Sequence, residues 1–383
     1  MAPEVIQTIA RVDQFAWANA SSVHEEGRKA RAEVEKARRT LSEAVGADAD
    51  ELIFTGGGTE ANLTGLRSLA FWGAKRGKRH MVVSAVEHPS VLGAAKQLEE
   101  QEGFECTYVL PDAQGRVLVA HVLGALREDT ALVALMAANN EIGNLYPVHE
   151  LGALLEERGV PLHVDCVQAL GKIPLDLKAM KAATASFSAH KIHGPKGVGA
   201  LYIRSRERLI PFHVGGHQER ERRAGTEAVS LIAGFGEAVS MMVSGLEQER
   251  ARLRALNALL WAQVQEKISG VFLNGDPNVE GRLATTLNMS FENTEGETVL
   301  IGLDLEGIAA SSGSACTAGS LEPSHVLIAM GASAERARAA LRISMHRGIC
   351  EQDIYRLVAA LGRVVSMVRE ASPPSSDQGV RYG

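Results

Sequence analysis

Residues 183–203 read ATASFSAHKIHGPKGVGALYI. Two apolar runs, ATASFS and VGALYI, bracket a turn that holds Lys191, His190, His193 and a Gly-Pro pair. Continuous apolar runs of this length, bounded by glycine and proline, read as strands buried on both faces. A chain that ends such a strand with an amine and two imidazoles is delivering polar groups to the edge of a sheet.

The same texture recurs outward from that stretch. ELIF (51–54), HMVVSAV (80–86), ALVALMAA (131–138) and PLHVD (161–165) are further apolar runs. Helical patterns follow them from Glu60, from about Pro89 and over 148–158. Such alternation predicts an α/β fold with a mostly parallel sheet sandwiched by helices. Ahead of it, SSVHEEGRKARAEVEKARRTLSEAVG (21–46) predicts a helix. Ser22 and Glu25 stand at capping-box spacing, Gly46 marks its end, and Val34, Leu41 and Val45 form its buried stripe. Beyond about residue 245 a charged helix leads to the strand TTLNMSF (285–291), a loop of small residues, and helices expected over 335–342 and 351–370. The chain is expected to divide into a large domain, 13–245, a smaller α+β domain, 246–370 together with 1–12, and a disordered tail, 371–383.

Composition excludes several classes. The 383 residues are 45% hydrophobic and 22% charged, an ordinary globular balance. A net charge of −6 gives no reason to expect nucleic acid or an anionic membrane as partner, and 4% aromatic residues argue against a base-stacking platform. No uncharged run is long enough to span a bilayer, and MAPEVIQTIARVDQ has no signal-peptide core. Cys106, Cys166, Cys316 and Cys350 are widely spaced without a CxxC pair. That predicts neither a metal site nor a disulfide framework, and a cytoplasmic setting is expected.

Ligands of open α/β sheets bind beyond the C-terminal ends of the strands. The residues found there are Thr55-Gly56-Gly57-Gly58-Thr59-Glu60 after ELIF, Glu87 and His88 after HMVVSAV, Asn139, Asn140 and Glu141 after ALVALMAA, Asp165 and Gln168 after PLHV, and His190 and Lys191 after ATASFS. A glycine turn opening a helix suits a phosphate. It also fits a loose GxGxxA dinucleotide pattern, but the acid expected about 20 residues on is missing, and a nicotinamide would leave Lys191 without a role. A lysine amine condenses with an aldehyde, and pyridoxal phosphate supplies one. Asp165 is then the candidate partner of the pyridine nitrogen, His88 the group lying on the ring, and Asn140 and Gln168 the partners of the ring hydroxyl. Taken singly, each residue is as well explained by an ordinary turn or a tie between loops; the argument rests on all of them meeting at one edge. Arg220, Arg222, Arg223 and Thr226, in VGGHQERERRAGTEA (214–228), are candidates for a phosphate or a partner subunit, or simply a solvated loop. Cys316 sits in SSGSACTAGSLEPSH (311–325), a polar loop of small residues, and is a candidate nucleophile. Cys106, Cys166 and Cys350 have apolar or helical settings.

These motifs together carry a resemblance. SSVHEEGR, FTGGGTEAN, VEHPS, ANNEIG, HVDCVQALGK, SAHKIHGPKGVGALY, GGHQERERRAGTE, SSGSACTAGSLEPSHVL and LRISMHR span nearly the whole chain. They resemble the NifS/IscS cysteine desulfurases, closest to the NifS branch, among the fold-type I, class V aminotransferase-like enzymes. The resemblance implies pyridoxal 5'-phosphate bound through Lys191, with His88 stacked on the ring, Asp165 at the pyridine nitrogen and Gln168 at the phenolic oxygen. It implies phosphate ligands in Gly58, Thr59, Ser188 and His190, and in Thr226 from the second subunit of a homodimer. It implies Asn140 and Arg342 at the carboxylate of L-cysteine, and Cys316 as the residue that takes the sulfur as a persulfide and passes it to an acceptor or Fe–S scaffold protein, of nitrogenase assembly or otherwise. A selenocysteine lyase or another pyridoxal enzyme is the alternative. Relatives usually open on a strand resembling YLDNNATT, which is not found ahead of MAPEV, and carry proline where Ala20 stands and often alanine where Gly58 stands. Either the start is trimmed, or this form is weakened, with reduced stability and activity and at its limit an impaired scaffold.

Overall fold

The structure is a computed structural model that describes residues 1–312 and 322–371. It divides the chain into a larger unit of Met1–Asp112, Arg116–Asn140 and Leu145–Arg250, and a smaller unit of Ala113–Gly115, Glu141–Asn144 and the described residues from Ala251 onward.

The larger unit holds strands β1 (Leu52–Thr55), β2 (His80–Ser84), β3 (Glu105–Val109), β4 (Thr130–Ala134), β5 (Leu162–Asp165), β6 (Thr184–Ser188) and β7 (Gly199–Ile203). They form one sheet in the order β1-β7-β6-β5-β4-β2-β3. β6, β5, β4, β2 and β3 are parallel, and β7 runs against both β6 and β1. The reversal of β7 follows from the short connection through Lys191, which leaves no room for a crossover helix. Because β1 is antiparallel to a strand that is itself antiparallel to β6, its C-terminal end lies at the same edge as those of the parallel strands. Every residue of β1, β2 and β4 to β7 is buried, as uncharged runs covered on both faces require. The seventh strand, β3, escapes sequence reading because ECTYV is a largely exposed edge strand with no apolar run.

Helices α1 (Pro3–Phe15), α2 (Glu25–Ala44), α3 (Gly58–Ala74), α4 (Pro89–Glu102), α5 (Val119–Gly124), α6 (Val148–Glu157) and α7 (Val229–Val243) complete this unit. Residues 1–12, expected with the smaller domain, belong to the larger one. Val5 and Val12 are fully buried, and α7 admits α1 and α2 at its glycines: an added Cβ at Gly234 would lie 2.8 Å from Ile9, and one at Gly236 2.8 Å from Ala37. The cap of α2 is also corrected. His24, not Ser22, is the N-cap, its Nδ1 accepting from the Gly27 N–H at 3.2 Å. The stripe of Val34, Leu41 and Val45 is buried.

The smaller unit has an antiparallel sheet, β10-β11-β9-β8, of β8 (Val271–Asn274), β9 (Thr286–Phe291), β10 (Ser311–Ser312) and β11 (Ala340–Ser344). Its helices are α8 (Leu246–Lys267), which begins in the larger unit, α9 (Gly296–Leu305), α10 (His325–Ala329), α11 (Ala334–Arg338) and α12 (Glu351–Ala371). Leu256, Leu260, Leu287, Met289, Leu341, Leu357 and Leu361 form its core. The helix expected over 335–342 stops at Arg338, and ALRIS forms β11. Alanine and arginine favour helix, but here packing prevails: Leu341 is buried in this core, and Arg342 pairs in register with Asn288. The tail expected from 371 lies outside the described residues apart from Ala371.

One buried ion pair binds α2 to β1 and to the 214–228 loop. Arg38 donates to Glu219 from both Nη atoms at 2.7 and 2.8 Å and to the Leu52 carbonyl at 2.8 Å. The Phe54 N–H donates to Glu219 at 3.0 Å. Glu219, Arg220 and Glu221 all have positive φ, at 48°, 58° and 66°, which such side chains avoid unless their surroundings fix them. Among the described residues, removing Arg38 leaves the buried Glu219 only the Phe54 N–H, and removing Glu219 leaves Arg38 the Leu52 carbonyl and, as its acid, only the longer contact with Glu35 at 3.3 Å. Glu219→Ala or Arg38→Ala is therefore expected to cost about 3–5 kcal/mol in chemical denaturation, and the double substitution less than the sum of the two.

Candidate active site

The edge at which these strands end gathers the polar residues. Thr55 of β1 and Ser188 of β6 both pair with Gly199 of β7, so the glycine turn after β1 and the lysine turn after β6 start at one level. Gly57 caps α3 with φ 154° and ψ −179°, a conformation open only to glycine. The first N–H groups of α3 then face outward with the positive end of the helix dipole. Gly58 is also held small, since a Cβ there would lie 2.8 Å from Val167 Cγ2. Gly56 to Glu60, Leu63, Ser188, His190, Lys196, Gly197, Phe212 and His213 line a cavity of about 600 Å³.

Lys191 is exposed in the turn Ala189–Ile192. The Ser188 hydroxyl and His190 Nδ1 are 2.8 Å apart. Burial lowers the pKa of His190, and the charges of Lys191, Lys196, Lys172 and His88 lower it further, so several cations converge beside the glycine turn. Glu60 would oppose an anion here, but Arg223 Nε pairs with it at 3.0 Å and His213 stands 3.4 Å from it. Arg223 thus acts through Glu60. Arg222 Nη1 instead donates to the Asp50 carbonyl at 2.7 Å. Arg220 and Thr226 are exposed and are not among the residues lining the cavity.

The interior of the edge is carboxylate chemistry. Asp165 closes β5, 3% exposed. Its Oδ1 accepts from the Val167 N–H at 2.9 Å and its Oδ2 from Asn62 Nδ2 at 2.7 Å. Burial pushes its pKa up, while these donors and the nearby His88 hold it down. His88, half-buried, is the N-cap of α4, its Nδ1 accepting from the Ser90 N–H at 3.1 Å. Gln168 Oε1 accepts from Lys172. Asn139 Nδ2 donates to the Val86 carbonyl at 2.9 Å, tying the loop after β4 to the loop after β2, and the half-buried Asn140 follows it. Arg342 belongs to the smaller unit, where the Glu141 carboxyl is its nearby acid; Glu141 pairs with the Ser324 hydroxyl at 2.5 Å, and burial raises its pKa to about 7. Cys316 lies outside the described residues.

The other cysteines separate by environment. Cys166, fully buried next to Asp165, has its thiol pushed well up by burial and by that carboxylate. Cys106 is raised to about 12, chiefly by burial. Cys350, expected in an apolar or helical setting, is exposed just ahead of α12, and its Sγ donates to Asp353 at 3.1 Å.

His163, Lys172, Lys196, Asn62 and Ser90 were not singled out by sequence reading, and Glu87 was noted only as following its strand. Their signals were faint: Glu87 and Ser90 flank His88 in VEHPS, His163 opens HVDCVQ, and Asn62 closes GGGTEAN. Glu87 is fully buried, accepts from the Met136 N–H at 2.7 Å, and is raised to about 8 by burial and then by Asp165.

An amine on the turn after one strand, a buried carboxylate at the end of its neighbour, and a cationic glycine cradle meet the needs of pyridoxal phosphate: an aldehyde, a pyridine nitrogen and a phosphate. This sheet order with that edge defines the fold-type I class of pyridoxal-phosphate enzymes. Residues 1–357 match the aminotransferase class-V family. The chain is 41% identical over 370 residues to the cysteine desulfurase IscS of Dictyoglomus turgidum, covering 97% of this chain and 93% of that one. It is 42% identical over 362 residues to a cysteine desulfurase of Gluconacetobacter diazotrophicus, covering 94% and 89%. A solved NifS-like protein superposes with a TM-score of 0.89 at 32% identity over 96% of each chain. Another, SspA in complex with cysteine, gives 0.78 at 33% identity over 90% of this chain and 95% of its own. The chain belongs to the class-V aminotransferase family, with the IscS- and NifS-like cysteine desulfurases.

Glu87 generates a pH test. Its folded pKa of about 8 lies above the ordinary 4.5, so the proton it keeps favours the fold fully below pH 4.5, and that contribution is lost as pH rises to 8. Glu87→Gln retains an acceptor for the Met136 N–H without the ionisation. Relative to wild type it is expected to gain a few kcal/mol between pH 4.5 and 8, with no further gain above. Denaturant midpoints measured across pH for both proteins check this.

Proposed function

We propose that this chain is a cysteine desulfurase that converts L-cysteine to L-alanine and passes the sulfur, through Cys316, to an acceptor protein for Fe–S cluster assembly. The observation that carries the reading is the lysine turn after β6 beside the buried carboxylate at the end of β5, in a chain 41% identical to a cysteine desulfurase. When bound, pyridoxal phosphate supplies an electron sink that withdraws density from the substrate's α-carbon.

The remaining work falls to the chain's own groups. Lys191 would hold the cofactor through its amine, and the same amine would move the α-proton of L-cysteine. Asp165 would pair with the pyridine nitrogen, and His88 would hold the ring, its Nε2 able to carry a proton. Gly58, Thr59, Ser188 and His190, which line the cavity, would hold the phosphate, and Gln168 the phenolic oxygen. The guanidinium of Arg342 and the amide of Asn140 take the substrate carboxylate, the arginine as a two-pronged donor. Cys316 attacks the substrate sulfur as thiolate: the carbon–sulfur bond breaks, a sulfur–sulfur bond forms, and its electron pair stays on carbon, which is protonated to give alanine. Thr226, which is not among the residues lining the cavity, would reach the phosphate of the other subunit of a homodimer. We place the protein in the cytoplasm, consistent with Cys106, Cys166 and Cys350 standing as thiols among the described residues, and nitrogenase assembly is one destination for the sulfur.

Purified protein given pyridoxal phosphate and L-cysteine is expected to release alanine, and sulfide with a reductant. Lys191→Ala is expected to lower alanine formation by at least about 10²-fold. Arg342→Ala is expected to raise KM for cysteine about 10- to 100-fold, from the loss of charge-assisted bonds. Cys316→Ala should leave cofactor binding intact and stop sulfur transfer. A wild-type protein that binds the cofactor and yields no alanine would overturn the assignment.

A further inference from the structure

The two groups assigned to the cofactor ring, Asp165 and His88, sit on different elements, one ending β5 and the other capping α4. A single buried side chain joins them. Asn62, on the first turns of α3 and 1% exposed, donates from Nδ2 to Asp165 Oδ2 at 2.7 Å and to Ser90 Oγ at 2.9 Å. Ser90 Oγ in turn lies 2.8 Å from His88 Nδ1. On the other side, Asn62 Oδ1 meets His163 Nε2 at 3.0 Å and the Ser186 hydroxyl, and His163 Nδ1 meets the Thr184 hydroxyl at 2.9 Å.

The direction of every bond follows from chemistry. An amide nitrogen can only donate, and the carboxylate of Asp165 accepts, so the NH₂ of Asn62 must face Asp165 and its carbonyl must face His163. The opposite flip would set two oxygens against each other at 2.7 Å. His163 must then carry its proton on Nε2 and accept from Thr184 on Nδ1, and burial, which lowers its pKa to about 4, keeps it neutral. Ser90 Oγ, receiving from Asn62, turns its own proton to His88 Nδ1. That nitrogen already accepts the backbone N–H of Ser90 at 3.1 Å. Two donors aimed at Nδ1 leave the imidazole proton on Nε2, the nitrogen away from the helix.

We propose that Asn62 is a positioning residue that orients the carboxylate of Asp165 and, through Ser90, fixes the Nε2–H tautomer of His88, so that both faces of the cofactor site are set by one amide. The inference rests on the reading of Asp165 and His88 as ring-facing groups, but the network exists in the chain without its cofactor and is tested there. Histidine-labelled, cofactor-free protein is examined by ¹⁵N NMR, with His88 identified by its loss in His88→Asn. Wild type is expected to show His88 as the Nε2–H tautomer. Ser90→Ala keeps the backbone N–H and removes the hydroxyl, and is expected to move the His88 signals toward a mixture of tautomers. Asn62→Leu is expected to do the same and to weaken pyridoxal phosphate binding about 10- to 100-fold in titrations of the apo chain. If Asn62→Leu does not fold, Ser90→Ala alone decides. A His88 spectrum identical to wild type in the variants obtained would overturn the proposal, whereas a wild-type chain that shows the tautomer and binds no cofactor would overturn the enzymatic reading instead.

Discussion

The larger unit depends on keeping one carboxylate at the end of a fully buried strand. Burying a charge is costly unless donors surround it, and the donors of Asp165 come from the turn after its own strand and from α3. A second acid, Glu87, is buried close by and keeps its proton. Hydrogen bonding separates the two: Asp165 accepts from two N–H donors and Glu87 from one, while burial pushes both acids up. Placing α3, α4 and β5 to supply those donors also places the glycine turn, the histidine cap and the lysine turn. The architecture of the site is in this sense a by-product of solvating one anion with protein.

Much of this was legible in the sequence, for a definite reason. Strands covered on both faces leave uninterrupted apolar runs, and the residues that follow such runs must come out at one edge. Lys191, Asp165, His88 and the glycine turn could therefore be collected without coordinates. What could not be collected has a different physical origin. Asn62 lies four residues into α3, where nothing in its spacing marks it; its importance comes from neighbours 28, 103 and 124 positions away. β11 reads as a helix by local preference and becomes a strand because β9 is there to pair with it. Residues 1–12 could be assigned to a unit only through the glycines of α7 that admit α1.

The 214–228 loop shows the limit from the other side. Its arginines invite a phosphate reading, yet Arg223 neutralises Glu60 and Arg222 holds a carbonyl near β1. The residue that organises the loop is an acid, Glu219, which anchors three successive left-handed residues to Arg38 and β1. A charged stretch that looks solvated is thus pinned from beneath, and Thr226 is presented by a shaped loop.

Cys166 leads to a last consequence. It stands one residue from Asp165, and its sulfur is sealed from solvent. An ionised sulfur there would confront both a dry interior and a neighbouring anion, so it stays protonated and unreactive. Among the described cysteines, the dielectric surroundings of Cys166 and Cys106 thus keep each a thiol, and a buried sulfur can neighbour Asp165 without competing as a nucleophile.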